Sequence, residues 1–76
     1  MTKQELLEEI KEVLQRDEEL SLDMNLTDIE EWDSLATISI ISLYDELFSK
    51  IINGDTLKSC NSVNDLIELV IDNLDD

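Results

Sequence analysis

The chain has 76 residues, of which 42% are hydrophobic, and its twenty Asp and Glu against five Lys and Arg give a net charge of −15. This length suits one small domain, which we expect to span residues 1–76. The negative field argues against nucleic acid or an anionic membrane as a partner and favours basic surfaces on other proteins. Without a transmembrane run, an export signal or a second cysteine to pair with Cys60, we expect a cytoplasmic monomer.

The first helix is predicted over Lys3–Arg16. Thr2 and Glu5 have the spacing of a capping box, in which each side chain accepts a hydrogen bond from the backbone N–H of the other. Apolar residues then recur at helical spacing on one face, at Leu6, Ile10, Val13 and Leu14.

Residues 17–33 show no sustained period and are predicted to form a long loop. This segment holds eight of the twenty carboxylates and no Lys or Arg. A loop of this length in a small domain is normally functional or anchored to the core. We expect it to be anchored by Leu20, Leu22, Leu26, Ile29 and Trp32. Its acidic side chains either form an ordinary solvated surface or belong to a docking surface for a basic partner.

The second helix is predicted to begin at Ser34, with Asp33 as its N-cap, and to continue to Phe48. The β-branched run from Thr37 to Ile41 is also compatible with a strand, but fifteen residues without a turn signal favour a helix. We expect Leu35 to anchor its first turn in the core. The predicted buried face comprises Leu35, Ile38, Ile41 and Phe48, widened by Ile40, Leu43, Tyr44 and Leu47.

The remaining chain predicts two further helices. A connection containing Gly54, the only glycine, leads to a short helical turn over Asp55–Ser59. Ser62 and Asp65 then form a second capping-box pattern, and apolar residues follow at Val63, Leu66, Ile67, Val70 and Leu74. The predicted fold is all-α: a small four-helix bundle of three main helices and one short helix.

Composition argues against catalysis and against a metal site. The chain has no histidine, which is the commonest general base, and Cys60 therefore has no imidazole partner. The segment Asp17–Asp28 has the length of a calcium-binding loop, but Leu22 stands at the sixth position, where such loops need glycine. We therefore expect no catalytic residues, no metal ligands and no enzyme activity.

A serine at the start of a helix presents its hydroxyl to solvent, and the helix N-terminus favours a bound anion. Glu31-Trp32-Asp33-Ser34-Leu35-Ala36, followed by Asp45-Glu46-Leu47-Phe48, resembles the core of the acyl carrier proteins. The resemblance extends in order over essentially the whole chain. It implies that Ser34 carries 4′-phosphopantetheine derived from coenzyme A, whose terminal thiol holds an acyl group as a thioester.

The resemblance also implies roles for neighbouring residues and for partners. Asp33 would cap the helix and help to hold Mg²⁺ at the site of a phosphopantetheinyl transferase. Further partners would be an acyl-loading ligase or transferase and condensing or acyl-transferring enzymes, which dock against acidic side chains; the candidates are Glu30, Glu31, Asp45 and Glu46. Apolar cargo would be sheltered between the helices, along the isoleucine-rich face of the second helix.

Some positions depart from the pattern of fatty-acid carriers. Ala36 and Ser39 stand where acids are frequent, and Ser49 stands where a glycine is expected after Phe48. The form Trp32-Asp33-Ser34-Leu35-Ala36 looks like stand-alone carriers that serve dedicated ligases or synthases in specialised pathways. Two alternatives stay open: a peptidyl or aminoacyl carrier, and an acidic helical interaction module that is never modified.

Overall fold

The computed structural model describes residues 1–75; Asp76, the predicted end of the domain, lies outside the described residues. The chain forms helices α1 (Lys3–Val13), α2 (Ser34–Phe48), α3 (Gly54–Lys58) and α4 (Val63–Glu68), with 3-10 turns at Leu26–Asp28 and Ile71–Asn73. This architecture confirms the predicted all-α bundle. No helix within residues 1–75 is long and apolar enough to cross a membrane.

Helix α1 begins at the predicted capping box but ends earlier than predicted. Thr2 Oγ1 accepts the Glu5 N–H at 3.2 Å, and Glu5 Oε1 accepts the Thr2 N–H at 2.9 Å. The helix ends at Val13 rather than Arg16, because Gln15 adopts a left-handed φ of 57° and turns the chain away from the helix axis. Arg16 therefore belongs to the connection that follows α1.

The long segment between α1 and α2 is anchored as predicted. Leu20, Leu26 and Ile29 are buried, while Leu22 and Trp32 are half-buried against the core. The backbone of this segment also contacts the start of α4. The N–H groups of Val63 and Asn64 donate to the carbonyls of Met24 and Leu22 at 2.9 and 3.0 Å. The long segment thus supplies acceptors for N–H groups that a helix start leaves without an intrahelical partner.

The buried face of α2 differs from the prediction. Its buried residues are Ala36, Ile40, Leu43 and Tyr44, whereas Ile41, Leu47 and Phe48 are half-buried. Leu35 and Ile38 are 70% and 61% exposed, so the predicted burial of these two side chains is wrong. The spacing i, i+4, i+7 and i+8 from Ala36 sets the stripe that faces the core, and Leu35 and Ile38 lie outside it.

Helices α3 and α4 pack against the C-terminal half of α2 through one apolar cluster that includes Leu57, Val63, Leu66, Ile67 and Val70. The second capping box is confirmed, since Ser62 Oγ accepts the Asp65 N–H at 3.3 Å and Asp65 accepts the Ser62 N–H at 3.2 Å. Helix α4 is shorter than predicted and does not continue to Leu74. The backbone leaves the helix at Val70 (φ −125°), and the Asp75 N–H then donates to the Met1 carbonyl at 2.8 Å.

Candidate functional site

Ser34 is the first residue of α2, and its side chain is exposed. Asp33 precedes it in an extended conformation (φ −140°, ψ −172°), and its Oδ1 accepts the Ala36 N–H at 2.8 Å. The first turn is closed by the Thr37 hydroxyl, which donates to the Ser34 carbonyl at 2.7 Å. The predicted N-cap is therefore confirmed, and it fixes the backbone on both sides of an accessible hydroxyl.

An ion pair holds the chain where it approaches Ser34. Arg16 Nη1 donates to Glu31 Oε1 at 2.8 Å, and Nη2 lies 3.6 Å from a Glu18 oxygen. The Arg16 side chain is only 11% exposed. A hydrogen bond from the Glu31 backbone N–H and the pairing with Arg16 hold the pKa of the Glu31 carboxyl below its usual range. This contact joins the residues that follow α1 to a position three residues before Ser34.

The first two turns of α2 expose apolar side chains beside Ser34. The prediction that Leu35 anchors the first turn in the core is wrong, since Leu35 is 70% exposed; Ala36, which is 5% exposed, anchors the turn instead. Leu35 and Ile38 are separated by one helical turn and therefore lie next to each other on the surface. Their exposure leaves an apolar surface adjacent to the serine hydroxyl.

Comparison with models of protein families shows which family the chain belongs to. The family model described as phosphopantetheine attachment site matches residues 4–70, which is most of the chain. The chain belongs to the phosphopantetheine attachment site family. Searches against curated proteins and against solved structures found no match. Family membership establishes a carrier domain for covalently bound 4′-phosphopantetheine.

The start of α2 in this carrier domain is suited to a phosphodiester. Helix α2 has fifteen residues, and its N-terminus combines a positive dipole end with backbone N–H groups that point outward. Ser34 is followed by the neutral residues Leu35, Ala36 and Thr37, so the first turn contributes no charge that would repel a phosphate. The Asp33 carboxylate accepts the Ala36 N–H, which places its charge at the cap.

The four acidic residues predicted to dock partners fall into two groups. Glu30 and Glu31 precede the helix, where Glu30 is exposed and Glu31 is paired with Arg16. Asp45 and Glu46 are exposed near the other end of α2, about 16 to 18 Å along the helix from Ser34. The structure does not bring the two groups together at the serine.

Arg16 is a site residue that the sequence analysis missed, because it was assigned to the end of the first helix. A signal was nevertheless present in the sequence. Arg16 is the only Lys or Arg between Glu12 and Ser49, and it directly precedes the acidic segment. Electrostatic attraction favours pairing of a single cationic side chain with one of the eight carboxylates that follow it.

Proposed function

We propose that the protein is an acyl carrier protein whose single carrier domain bears 4′-phosphopantetheine on Ser34 Oγ and that has no catalytic activity of its own. The observation that carries this proposal is the exposed Ser34 hydroxyl at the capped start of α2. The other serines of α2, Ser39 and Ser42, lie inside the helix, where no Asp-Ser-Leu sequence or free helix terminus accompanies them.

Attachment requires coenzyme A, Mg²⁺ and a phosphopantetheinyl transferase. Ser34 Oγ forms a bond to the phosphorus that bears pantetheine, and the bond from that phosphorus to the bridging oxygen breaks. Adenosine 3′,5′-bisphosphate leaves, and the hydroxyl proton passes to a base on the transferase. The attached arm supplies a thiol that holds the acyl group as a thioester for fatty-acid, polyketide or other specialised acyl biosynthesis.

Intact-mass measurement tests the attachment site. The purified protein is incubated with coenzyme A, Mg²⁺ and a broad-specificity transferase. We expect the wild type to gain one phosphopantetheinyl group, Ser34→Ala to gain none, and Ser42→Ala, a matched change of an exposed serine on the same helix, to gain one.

Modification of Ser34→Ala would contradict the assignment to this residue. An unmodified wild type would instead favour the acidic interaction module that is never loaded. A wild type that is modified but accepts only aminoacyl groups from loading enzymes would favour the peptidyl carrier.

Partner docking is proposed to centre on the apolar surface formed by Leu35 and Ile38, with Glu30, Glu31, Asp45 and Glu46 at its rim. Apolar anchors contribute most of the binding energy of an interface, whereas rim charges mainly set the association rate. Ala36 is buried, so its lack of charge does not alter this surface. The exposed neutral positions near Ser34 are instead Leu35 and Ile38.

Transferase kinetics test this docking surface. We expect Ile38→Ala to raise the transferase KM by about tenfold, the loss that removal of a central apolar contact produces. Glu68→Ala, an exposed change on α4, should leave the KM unchanged. An unaffected KM for both Leu35→Ala and Ile38→Ala would show that partners dock elsewhere.

A further inference from the structure

A groove runs along the side of α2 that faces α1. Its first part is a cavity of about 310 Å³ between Val13 and Leu14 at the end of α1 and Ala36 and Ser39 on α2. Asp33 and Leu35 also line this cavity, and they are the residues on either side of Ser34. Ser34 itself does not line the cavity, so the groove begins beside the two residues that flank the serine.

A second cavity of about 210 Å³ continues in the direction of the helix axis. It shares Val13 and Ser39 with the first cavity and is further lined by Ser42, Leu43 and Glu46. Since an α-helix rises about 1.5 Å per residue, the groove extends for about 18 Å from Ser34 to Glu46. A long, flexible chain fixed at Ser34 can follow a groove of this length.

The groove combines apolar contacts with hydroxyl groups. Val13, Ala36 and Leu43 provide apolar surface, and Ser39 and Ser42 provide polar atoms. The Ser39 hydroxyl donates to the Leu35 carbonyl at 3.0 Å, which leaves its oxygen able to accept a hydrogen bond from another group. A phosphopantetheine arm has matching chemistry beyond its phosphate: methylene and methyl groups interrupted by two amides.

The acidic residues that border the groove disfavour binding of free anionic ligands more than binding of an arm attached at Ser34. The groove is bordered by Asp33 at one end and Glu46 at the other, and Glu31 also lines it. These carboxylates repel free anions. The neutral part of an arm that is already attached at Ser34 is not repelled.

The opposite side of α2 is filled by buried side chains of α2 and α3. Ile40, Tyr44 and Leu57 are completely buried there, and the Tyr44 hydroxyl donates to the Leu66 carbonyl at 2.7 Å. An arm that entered this side would have to displace a buried aromatic ring and break its hydrogen bond. The side that faces α1 requires no such displacement.

We propose that the groove between α1 and α2 holds the phosphopantetheine arm once Ser34 has been modified. Val13 and Leu43 supply the apolar contacts, and the hydroxyl groups of Ser39 and Ser42 are the acceptors for the amide N–H groups of the arm. This inference rests on the proposed attachment at Ser34.

The test compares the unmodified and modified full-length protein by NMR spectroscopy, after mass spectrometry has established that modification is complete. Val13 and Ser42 are the reporters, because Ser42 lies about 12 Å along the helix from Ser34 and Val13 lies on a different helix. We expect both amide signals to shift on modification, and we expect cross-relaxation between the methyl groups of the arm and those of Val13.

A groove-filling variant supplies the second measurement. Ser42 is exposed, so Ser42→Trp places a large side chain in the groove without entering the core. The terminal thiol of the modified wild type should react with iodoacetamide about threefold more slowly than that of Ser42→Trp, as expected if the arm is bound about two-thirds of the time. Ser21→Trp, at an exposed serine that lines neither cavity, should react like the wild type.

The outcomes separate this inference from the proposed function. Modified protein without shifts at Val13 and Ser42, or with equal thiol reactivity in all three proteins, would overturn the groove while leaving Ser34 as the attachment site. Shifts confined to α3 and α4 would place the arm on the opposite side of α2 and would also overturn it. A wild type that gains no mass would overturn both proposals.

Discussion

The two ends of α2 are held by different kinds of contact. At the C-terminal end the Tyr44 ring is completely buried, its hydroxyl is bound to the Leu66 carbonyl, and its centroid lies 6.0 Å from that of Phe48 in an edge-on arrangement. At the N-terminal end, the Asp33 cap and the Arg16–Glu31 ion pair hold a helix start whose apolar side chains are exposed.

This difference shows how one helix can be both rigid and accessible. Apolar packing fixes a helix by covering it, which would remove Leu35 and Ile38 from contact with a partner. Side-chain caps and ion pairs fix the backbone from beside it and leave those side chains exposed. Substitutions at the C-terminal end should therefore reduce folding stability most, and substitutions at the N-terminal end should affect modification of Ser34 more than folding.

The largest expected effect is at Tyr44. Tyr44→Ala should lower the free energy of unfolding by about 3–5 kcal/mol, the range for truncation of a buried aromatic side chain. Tyr44→Phe should lower it by about 1–2 kcal/mol, because the Leu66 carbonyl loses its buried partner. Urea denaturation followed by circular dichroism measures both.

Leu35→Ala is the control for the exposed end of the helix. Its effect on the free energy of unfolding should stay within about 0.5 kcal/mol, as is usual for surface substitutions. A loss as large as that of Tyr44→Phe would mean that Leu35 is packed in solution, and the contrast between the two ends would fail.

The next largest effect is expected from the Arg16–Glu31 ion pair. Glu31→Gln should lower the free energy of unfolding at pH 7, as measured by urea denaturation, since the hydrogen bond that it weakens involves a charged donor with little exposure. Lys11→Gln, which breaks the more exposed pair with Glu19, should lower the free energy of unfolding by less than Glu31→Gln does.

The pH dependence of the same variant follows from the lowered pKa of Glu31. A carboxyl whose folded pKa is depressed adds stability above its unfolded pKa, and this contribution is lost as the pH falls through the folded pKa. The stability difference between wild type and Glu31→Gln should thus be full near pH 7, begin to shrink as the pH falls below about 4.3, the ordinary pKa of Glu, and be lost once the pH is below the lowered folded pKa. A difference that does not shrink as the pH falls through this range would show that packing, and not charge, is responsible.

The sequence predicted the parts of this fold that depend on local chemistry. Both capping boxes, the Asp33 cap and the anchoring of the long segment by Leu20, Leu26 and Ile29 follow from residue type and spacing. These features require only neighbours within a few residues, or an apolar side chain that finds the core.

The predictions that failed depend on the position of the whole helix against its neighbours. Eight of the fifteen residues of α2 are Leu, Ile, Tyr or Phe, and they occur on nearly all sides of the helix. With so little polar contrast, spacing alone does not select the buried stripe, and Leu35 and Ile38 were placed in it wrongly. Arg16 was missed for a related reason, because its partner Glu31 lies fifteen residues away.

A smaller effect is expected from Asp33, where two substitutions separate two roles. Asp33→Ala should lower the free energy of unfolding by about 1 kcal/mol through loss of the cap, whereas Asp33→Asn retains a cap acceptor and should be close to wild type. If Asp33 also helps to hold Mg²⁺ for the transferase, both variants should be modified slowly, most clearly at low Mg²⁺. Wild-type rates for Asp33→Asn would limit Asp33 to the cap.

The smallest expected effect is a gain in stability at the C-terminal end of α2. Ser49 ends the helix in a left-handed conformation (φ 54°, ψ 33°), which crowds the Cβ of any residue except glycine. Ser49→Gly relieves this crowding but adds freedom to the unfolded chain, so a net gain of about 0.5–1 kcal/mol in the free energy of unfolding is expected. Gln15→Gly should behave similarly at the end of α1, where φ is 57°. Ser59→Gly is the matched control, since Ser59 ends α3 at φ −78° and glycine there should destabilise the fold.

Ser49→Gly should leave the rate of Ser34 modification unchanged, because the strained turn lies about 22 Å along the helix from that residue. A changed rate would show that the two ends of α2 are coupled. It would contradict the view that the C-terminal end mainly determines folding stability and the N-terminal end mainly determines modification of Ser34.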